Sequence, residues 1–414
     1  MTGEQKPPVT TYEMQNMPME TLEFTIFDHG RQSIDALRSC LDEFGTKNRV
    51  NVQLEVLPWD GSWSKLVQIA LYGGGPDLSE MSSTWIGDFV QMNTLRPYTG
   101  KEVAALGGES AFWEPAWASG GIHHDSRFTL WGMPWLADAR ILVYRRDLFE
   151  QAGVDVQTAF ASLDNFEQAL AKLQTAGIEM PLVLPTLRSR LDLQMMASWV
   201  WGEGGNFVNA TGDQILFDQA EAMRGFQRYY KLARFLSPAA RGLDDIESNN
   251  QYFNGRAATV MGGHWLIQDA RVTQNLAGKY GVVGIPPVSF VGGSHLVIWR
   301  NSRKADIALK LVDFLAGSQT PPEFYPGFGL PARLDGIANA TFMQDANYQE
   351  IVEALKTGRT FPAGRLWGMM EKRLVDLIPA IWQEIFSSDH PDIDAIVQNR
   401  LTALADRLRM TLNS

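Results

Sequence analysis

The chain has one cysteine in 414 residues, Cys40, which excludes an intrachain disulfide and a thiolate zinc cluster. Its setting, SIDALRSCLDEF, has helical spacing, so a buried core thiol is expected there rather than a nucleophile. No uninterrupted apolar run reaches the ~20 residues that a membrane helix requires. Basic residues are also in deficit: 36 Lys and Arg stand against 47 Asp and Glu, for a net charge of −11, with no basic stripe. No nucleic-acid partner is expected from such a balance. The triple glycine Gly73 to Gly75 is followed by no Gly-Lys-Ser/Thr, and no Gly-x-Ser-x-Gly occurs, so neither a phosphate loop nor a hydrolase elbow is present. His123-His124-Asp125, placed on a polar loop by the sequence, has no third ligand at a recognisable spacing, and no metal or cofactor is expected. Residues 1–20 carry three prolines and lack the apolar stretch of a signal peptide, so either a leader has been removed or the chain is not exported.

What is present suffices for a large core: 45% of residues are hydrophobic and 11% aromatic, and the length suggests two lobes or more. TLEFTIFDHG alternates as a strand, SIDALRSCLDEFG has helical spacing closed by Gly45, and VNVQLEVLPW alternates again. A second helix, SWSKLVQIALYGGG, stops at the glycines, and LSEMSSTW then reads as a strand feeding a helix. This βαβ order implies an α/β fold with a parallel sheet covered by helices. Further helices are expected at 164–176, 219–235 and 304–317 and over most of the last 45 residues. GDQILFD is expected as a strand or hairpin edge, and GRAATVMGG as a buried strand. Pro134 has no amide hydrogen to give a sheet, so WGMPWLADARILVY is expected to enter as an irregular or edge segment. Tyr229-Tyr230 lies in a helical pattern, where neighbouring residues point apart, and is assigned to packing.

In open α/β sheets ligands bind beyond the carboxyl ends of strands. The segments closing these strands are Asp28 to Arg31, Pro58 to Trp63, Ser82 to Trp85, Met261 to Trp265 and Val291 to His295. In or near them stand Trp59, Trp63, Trp85, Trp135 and Trp265, with Asp28, His29, Asp60, Asp138 and His264 between. Indole faces match the apolar C–H faces of sugar rings, and carboxylates and imidazoles match their hydroxyls. The pattern points to a carbohydrate.

Four ordered segments carry a resemblance: GGGPDLSEMSSTWIGDFVQMNTLRPY, GMPWLADARILVYRRDLFEQAGV, YFNGRAATVMGGHW, and VGGSHLVIWRNSRKADIALKLVDFLAG followed by GFGLPAR. From about residue 21 onward the chain resembles the family 1 extracellular solute-binding proteins, the sugar-capturing subunits of bacterial ABC importers related to maltose-binding protein. The resemblance implies a two-lobe, type II periplasmic-binding-protein fold with a ligand cleft between lobes. It implies a first lobe of 21–133 plus 295–328, a second of 138–290 plus 335–414, hinges near 134–140, 290–296 and 328–335, and a polar extension at 1–20.

By the same likeness Trp135 and Asp138 stand at the cleft floor, Trp85 in the first-lobe loop, His264 and Trp265 in an aromatic wall, and Trp367 with Arg365 in the C-terminal part. Asp28, His29, Trp59, Asp60 and Ser294 complete the expected binding set. Ser294 and Leu136 replace aromatic residues that several disaccharide binders of this kind carry, which favours a mono- or disaccharide. The resemblance further implies a monomer, in the periplasm or at the cell surface, that meets the transmembrane subunits of an importer. A cytoplasmic or surface sugar sensor and a glycoside hydrolase are the alternative readings. Asp60, Asp138 and Glu203 are available carboxylates for the second, but nothing nominates a pair.

Overall fold

The structure, a computed structural model, describes residues 19–124, 127–209, 211–318, 320, 327–338, 340–364 and 366–412. Two sheets organise it. Strand β1 (Glu20–Phe27) buries Leu22, Phe24 and Ile26 completely and pairs in parallel with β2 (Val50–Leu57), Glu20 opposite Val50 through Phe27 opposite Leu57. Its other side takes β3 (Leu78–Ser82), also parallel. The sheet continues through β10 (Val291–Ile298) and β6 (Met133–Ala139) to the two-residue β11 (Leu330–Pro331), with order β11-β6-β10-β3-β1-β2. A hairpin, β4 (Gly121–His124) and β5 (Arg127–Leu130), stands apart. The second sheet, order β8-β7-β9, joins β7 (Ile141–Arg145) to β8 (Thr259–Gly262) and β9 (Tyr280–Gly284).

Only the β1-β2-β3 part is parallel. Strand β10 runs antiparallel to β3 and β6, and both pairings in the second sheet are antiparallel, so the expectation of one parallel sheet is corrected. The reason lies in connectivity: β6 and β10 come from passages between the layers and are not closed by a local crossover helix.

Arg140 is the single residue between β6 and β7 and so joins the two sheets. Its backbone N–H donates to the Phe290 carbonyl (2.8 Å), where the chain returns into β10. A third passage follows β11, where Ala332 N–H donates to Trp135 O (3.0 Å) before helix Asp335–Ala338. Helices Ala346–Thr357, Trp367–Phe386 and Ile393–Leu412 then pack with the second sheet and its helices Arg190–Gly202 and Ala220–Tyr230.

Pro134 sits in β6, which has neighbours on both sides, yet β11 reaches only Leu136 and Ala137, and the β10 register shifts between Ser294 and His295, beside Pro134. The missing amide hydrogen is thus tolerated by a short neighbour and a bulge. Other expectations change. Gly45 lies inside helix Arg31–Asn48, which ends at Arg49 in the left-handed region (φ 55°), and Cys40 is half-buried rather than in the core. Burial and nearby Glu43 raise its thiol pKa. His123 and His124 belong to β4, not a loop, and among the described residues no group of three His, Cys, Asp or Glu could hold a metal ion. GDQILFD contributes only an isolated bridge, Val208 to Ile215. Tyr229 and Tyr230 are both fully buried, and both meet Trp382 (6.0 and 4.7 Å between centroids), because their helix is covered on more than one side. Residues 1–18, the bulk of the expected extension, lie outside the described residues.

Candidate functional site

Parallel pairing brings the carboxyl ends of β1, β2 and β3 side by side, and an aromatic wall forms there. Phe27 ends β1, with Trp59 at 4.4 Å and Trp85 at 5.5 Å between centroids; Trp63 is 5.3 Å from Trp85. Trp59 is 51% exposed, and its indole N–H donates to the Asp28 carbonyl (2.8 Å), which fixes it as a platform at the rim. His29 adjoins Trp59 (5.6 Å) and Phe328 (4.8 Å), and its Nε2 is 3.0 Å from both oxygens of buried Glu80. Glu80 also accepts from Phe27 N–H (2.8 Å), so one carboxylate orients both the strand end and the imidazole. Asp28 shapes the turn by accepting from Gly30 N–H (2.8 Å), and Asp60 is exposed beside Gly61.

A second cluster forms at the joint between the sheets. Asp138 Oδ2 accepts from Arg140 Nη1 (2.6 Å), its Oδ1 lies 3.3 Å from His264 Nδ1, and Arg140 Nε donates to Gln194 Oε1 (2.8 Å). The Arg140 guanidinium carbon rests 4.9 Å over Trp265 and 5.9 Å over Phe290. Burial on its own raises the Asp138 carboxyl, but Arg140 and His264 outweigh it and hold it down at about 2. From Phe290 the aromatics continue to Phe361 (4.7 Å) and on to Trp367, stacked at 4.1 Å.

Between these clusters the two lobes meet. A Cβ at Gly87 would lie 3.2 Å from the Gly364 carbonyl oxygen, and one at Gly368 only 1.8 Å from Asp88 Oδ1, so the arrangement is closed along this seam. Helix Arg190–Gly202 starts here, its Ser189 cap accepting from Asp192 N–H (3.1 Å). Arg190 projects its guanidinium over Trp63 (5.6 Å) and Trp85 (5.2 Å). Glu371, one turn after Trp367, is buried beneath it. Among the described residues several buried polar atoms along the seam find no hydrogen-bond partner: Trp85 Nε1, Trp367 Nε1, Arg190 Nη1 and Glu371 Oε1. Such groups are costly to leave unpaired and suit a polyhydroxylated solute.

The structure therefore joins Asp138, His264 and Trp265 through Arg140, joins Trp59 and Trp85 through Phe27, and ties His29 to them through Trp59 and Glu80. Trp135 is only 1% exposed, packed against Phe24 and Phe328 in the core, because it lies within β6 rather than beyond it. Ser294 is likewise buried within β10, and Val291 to His295 is strand, not a closing loop. Arg365 lies outside the described residues. Sequence reasoning missed Arg140, Arg190, Asp88 and Glu371 as site residues. Arg140 stands two positions from Asp138, and Glu371 four after Trp367 on one helical face, spacings that would have signalled them; Arg190 is brought in from far along the chain and leaves no local signal.

The model of the bacterial extracellular solute-binding protein family matches residues 32–320. A binding protein of Brucella abortus (strain 2308) is 23% identical over 350 residues, 81% of each chain. Among solved structures, an ABC transporter solute-binding protein from Thermotoga lettingae bound with α-D-tagatose superposes with TM-score 0.77 at 22% identity, covering 95% of this chain and 100% of that one. The sugar-binding protein MalE from Xanthomonas citri gives TM-score 0.78 at 20% identity, covering 94% and 98%. The fold is the two-lobe fold of those proteins.

Proposed function

The chain belongs to the bacterial extracellular solute-binding protein family, and from that premise we propose that it captures a mono- or disaccharide in the seam between its lobes, by closure, and delivers it to the transmembrane subunits of an ABC importer. The observation that carries this reading is the aromatic wall of Trp63 and Trp85, continued by Phe27 and Trp59, with Arg190 of the opposite lobe over it and buried polar atoms along the seam that find no partner among the described residues. Aromatic faces and scattered hydroxyl partners are the two requirements of sugar recognition. The tagatose bound to the Thermotoga lettingae protein and the sugar-binding description of the Xanthomonas citri one support the same class. The protein acts as a monomer in the periplasm or at the cell surface and leaves its solute chemically unchanged.

A thermal-shift screen against mono-, di- and trisaccharides, with amino acids and ferric ion as controls, tests the reading, since a solute that binds only the folded state raises the melting temperature. A rise with one sugar class and no turnover on overnight incubation supports it. A rise with a control alone, or hydrolysis of the sugar, sinks it.

Trp85→Ala and Trp265→Ala are each expected to weaken sugar binding by roughly 1–3 kcal/mol, the scale of a lost aromatic contact. Calorimetric titration reads this, with Trp85→Phe as a control that keeps the packing on Phe27. Unchanged affinity removes that residue from the site.

A further inference from the structure

The seam contains two carboxyls contributed from opposite lobes, Asp88 and Glu371. Among the described residues Arg190 is the cation acting on both. Its Nη1 stands 4.0 Å from Glu371 Oε2, too far for a hydrogen bond, and Glu371 Oε1 finds no partner among the described residues although the residue is 3% exposed. Thr84 lies close enough to the Glu371 carboxyl to lower its pKa. Among the described residues two acids thus stand against one base, and the faces of Trp63 and Trp85 already hold a guanidinium, so this wall accepts a cation.

We propose that the solute carries a protonated amine: an amino sugar whose ring lies on Trp63 and Trp85 and whose ammonium meets Asp88, while Arg190 moves off the indoles and closes onto Glu371. This rests on the reading of the seam as a carbohydrate site and names the class of carbohydrate. It matches each acid to one cation and gives the orphaned Glu371 oxygen a partner. With a neutral sugar, the acid that lacks a counter-charge has to take up a proton to stay buried. Burial accordingly pushes Asp88 up to about 6 and Glu371 to about 7; Arg190 opposes the rise at both, and Asp88 adds to it at Glu371.

Calorimetric titration of the full chain with D-glucosamine and the β-1,4-linked glucosamine disaccharide, beside their N-acetyl and hydroxyl counterparts, tests the proposal. The amines are expected to bind at least tenfold more tightly than the neutral forms. That affinity should climb as the pH rises through about 6 to 7 and the carboxyls ionise, then fall once the probe's own ammonium loses its proton. Asp88→Asn and Glu371→Gln should each erase the preference while the melting temperature shows a folded protein. Neutral sugars binding as tightly as amines overturn the amino-sugar class and leave the carbohydrate reading intact. Binding of spermidine without any sugar, or of no probe at all, overturns both.

Discussion

Asp138→Ala is expected to destabilise the protein by about 3–5 kcal/mol, the range for removing one partner of a buried ion pair. Arg140, whose side chain is 7% exposed, would keep Gln194, two aromatic faces and the more distant Asp245 carboxyl but lose its direct ion pair, and His264 would lose its carboxylate. Denaturant unfolding reads the loss, and Asp138→Asn, which retains an acceptor for Arg140, should lose less. The carboxyl also predicts a pH dependence. Its pKa is depressed in the folded state, to about 2 from an ordinary 3.8, so its contribution of roughly 2 kcal/mol is present above the ordinary value and disappears as the pH falls through about 2. Wild type should therefore lose more stability between pH 4 and 2 than Asp138→Asn does. Equal acid sensitivity of the two would show that the Asp138–Arg140 pair does not hold the joint.

Gly293→Ala is expected to cost about 3 kcal/mol or more, combining left-handed strain with overpacking. Gly293 has φ +131°, and a Cβ there would stand 2.0 Å from the Leu136 carbonyl oxygen and 3.0 Å from the Ala137 Cα. Both obstacles are backbone of β6, the strand that leads to Arg140, so relief requires the two crossing strands to separate. Gly242→Ala is the matched control: its φ is +68°, but nothing lies within 4 Å of the added carbon, and only about 1–2 kcal/mol of backbone strain is expected. Melting temperatures of the two variants check this. Comparable losses would mean that the crossing strands tolerate separation.

The fold was legible wherever apolar residues recur with the local period. Leu22, Phe24 and Ile26 stand two apart in β1, where burial becomes continuous from Phe24 to Phe27, and the helix after β2 stops at Gly73, as the pattern implied. Strand direction was not legible, because β10 is antiparallel to β3 through a pairing of residues more than 200 positions apart. At the site, Trp59 and Trp85 could be placed near strand ends from sequence order, and the structure sets both against Phe27. Trp135 could not be placed in this way. A tryptophan inside a β-rich run looks the same whether it caps a cleft or fills a core, and here it fills the core. Arg190 meets Glu371, 181 positions on, through the packing of two helices of one lobe, and meets Trp63 and Trp85 of the other only where the lobes come together; no local spacing announces either.

Closure of the seam around a sugar is the central claim. Small-angle scattering, with and without a saturating amount of the sugar that gives the largest thermal shift, tests it most directly. The account predicts a smaller radius of gyration in the sugar-bound sample and a curve matching the closed arrangement in which Gly87 faces Gly364. Identical curves for the free protein and for a sample shown by calorimetry to be saturated would contradict it.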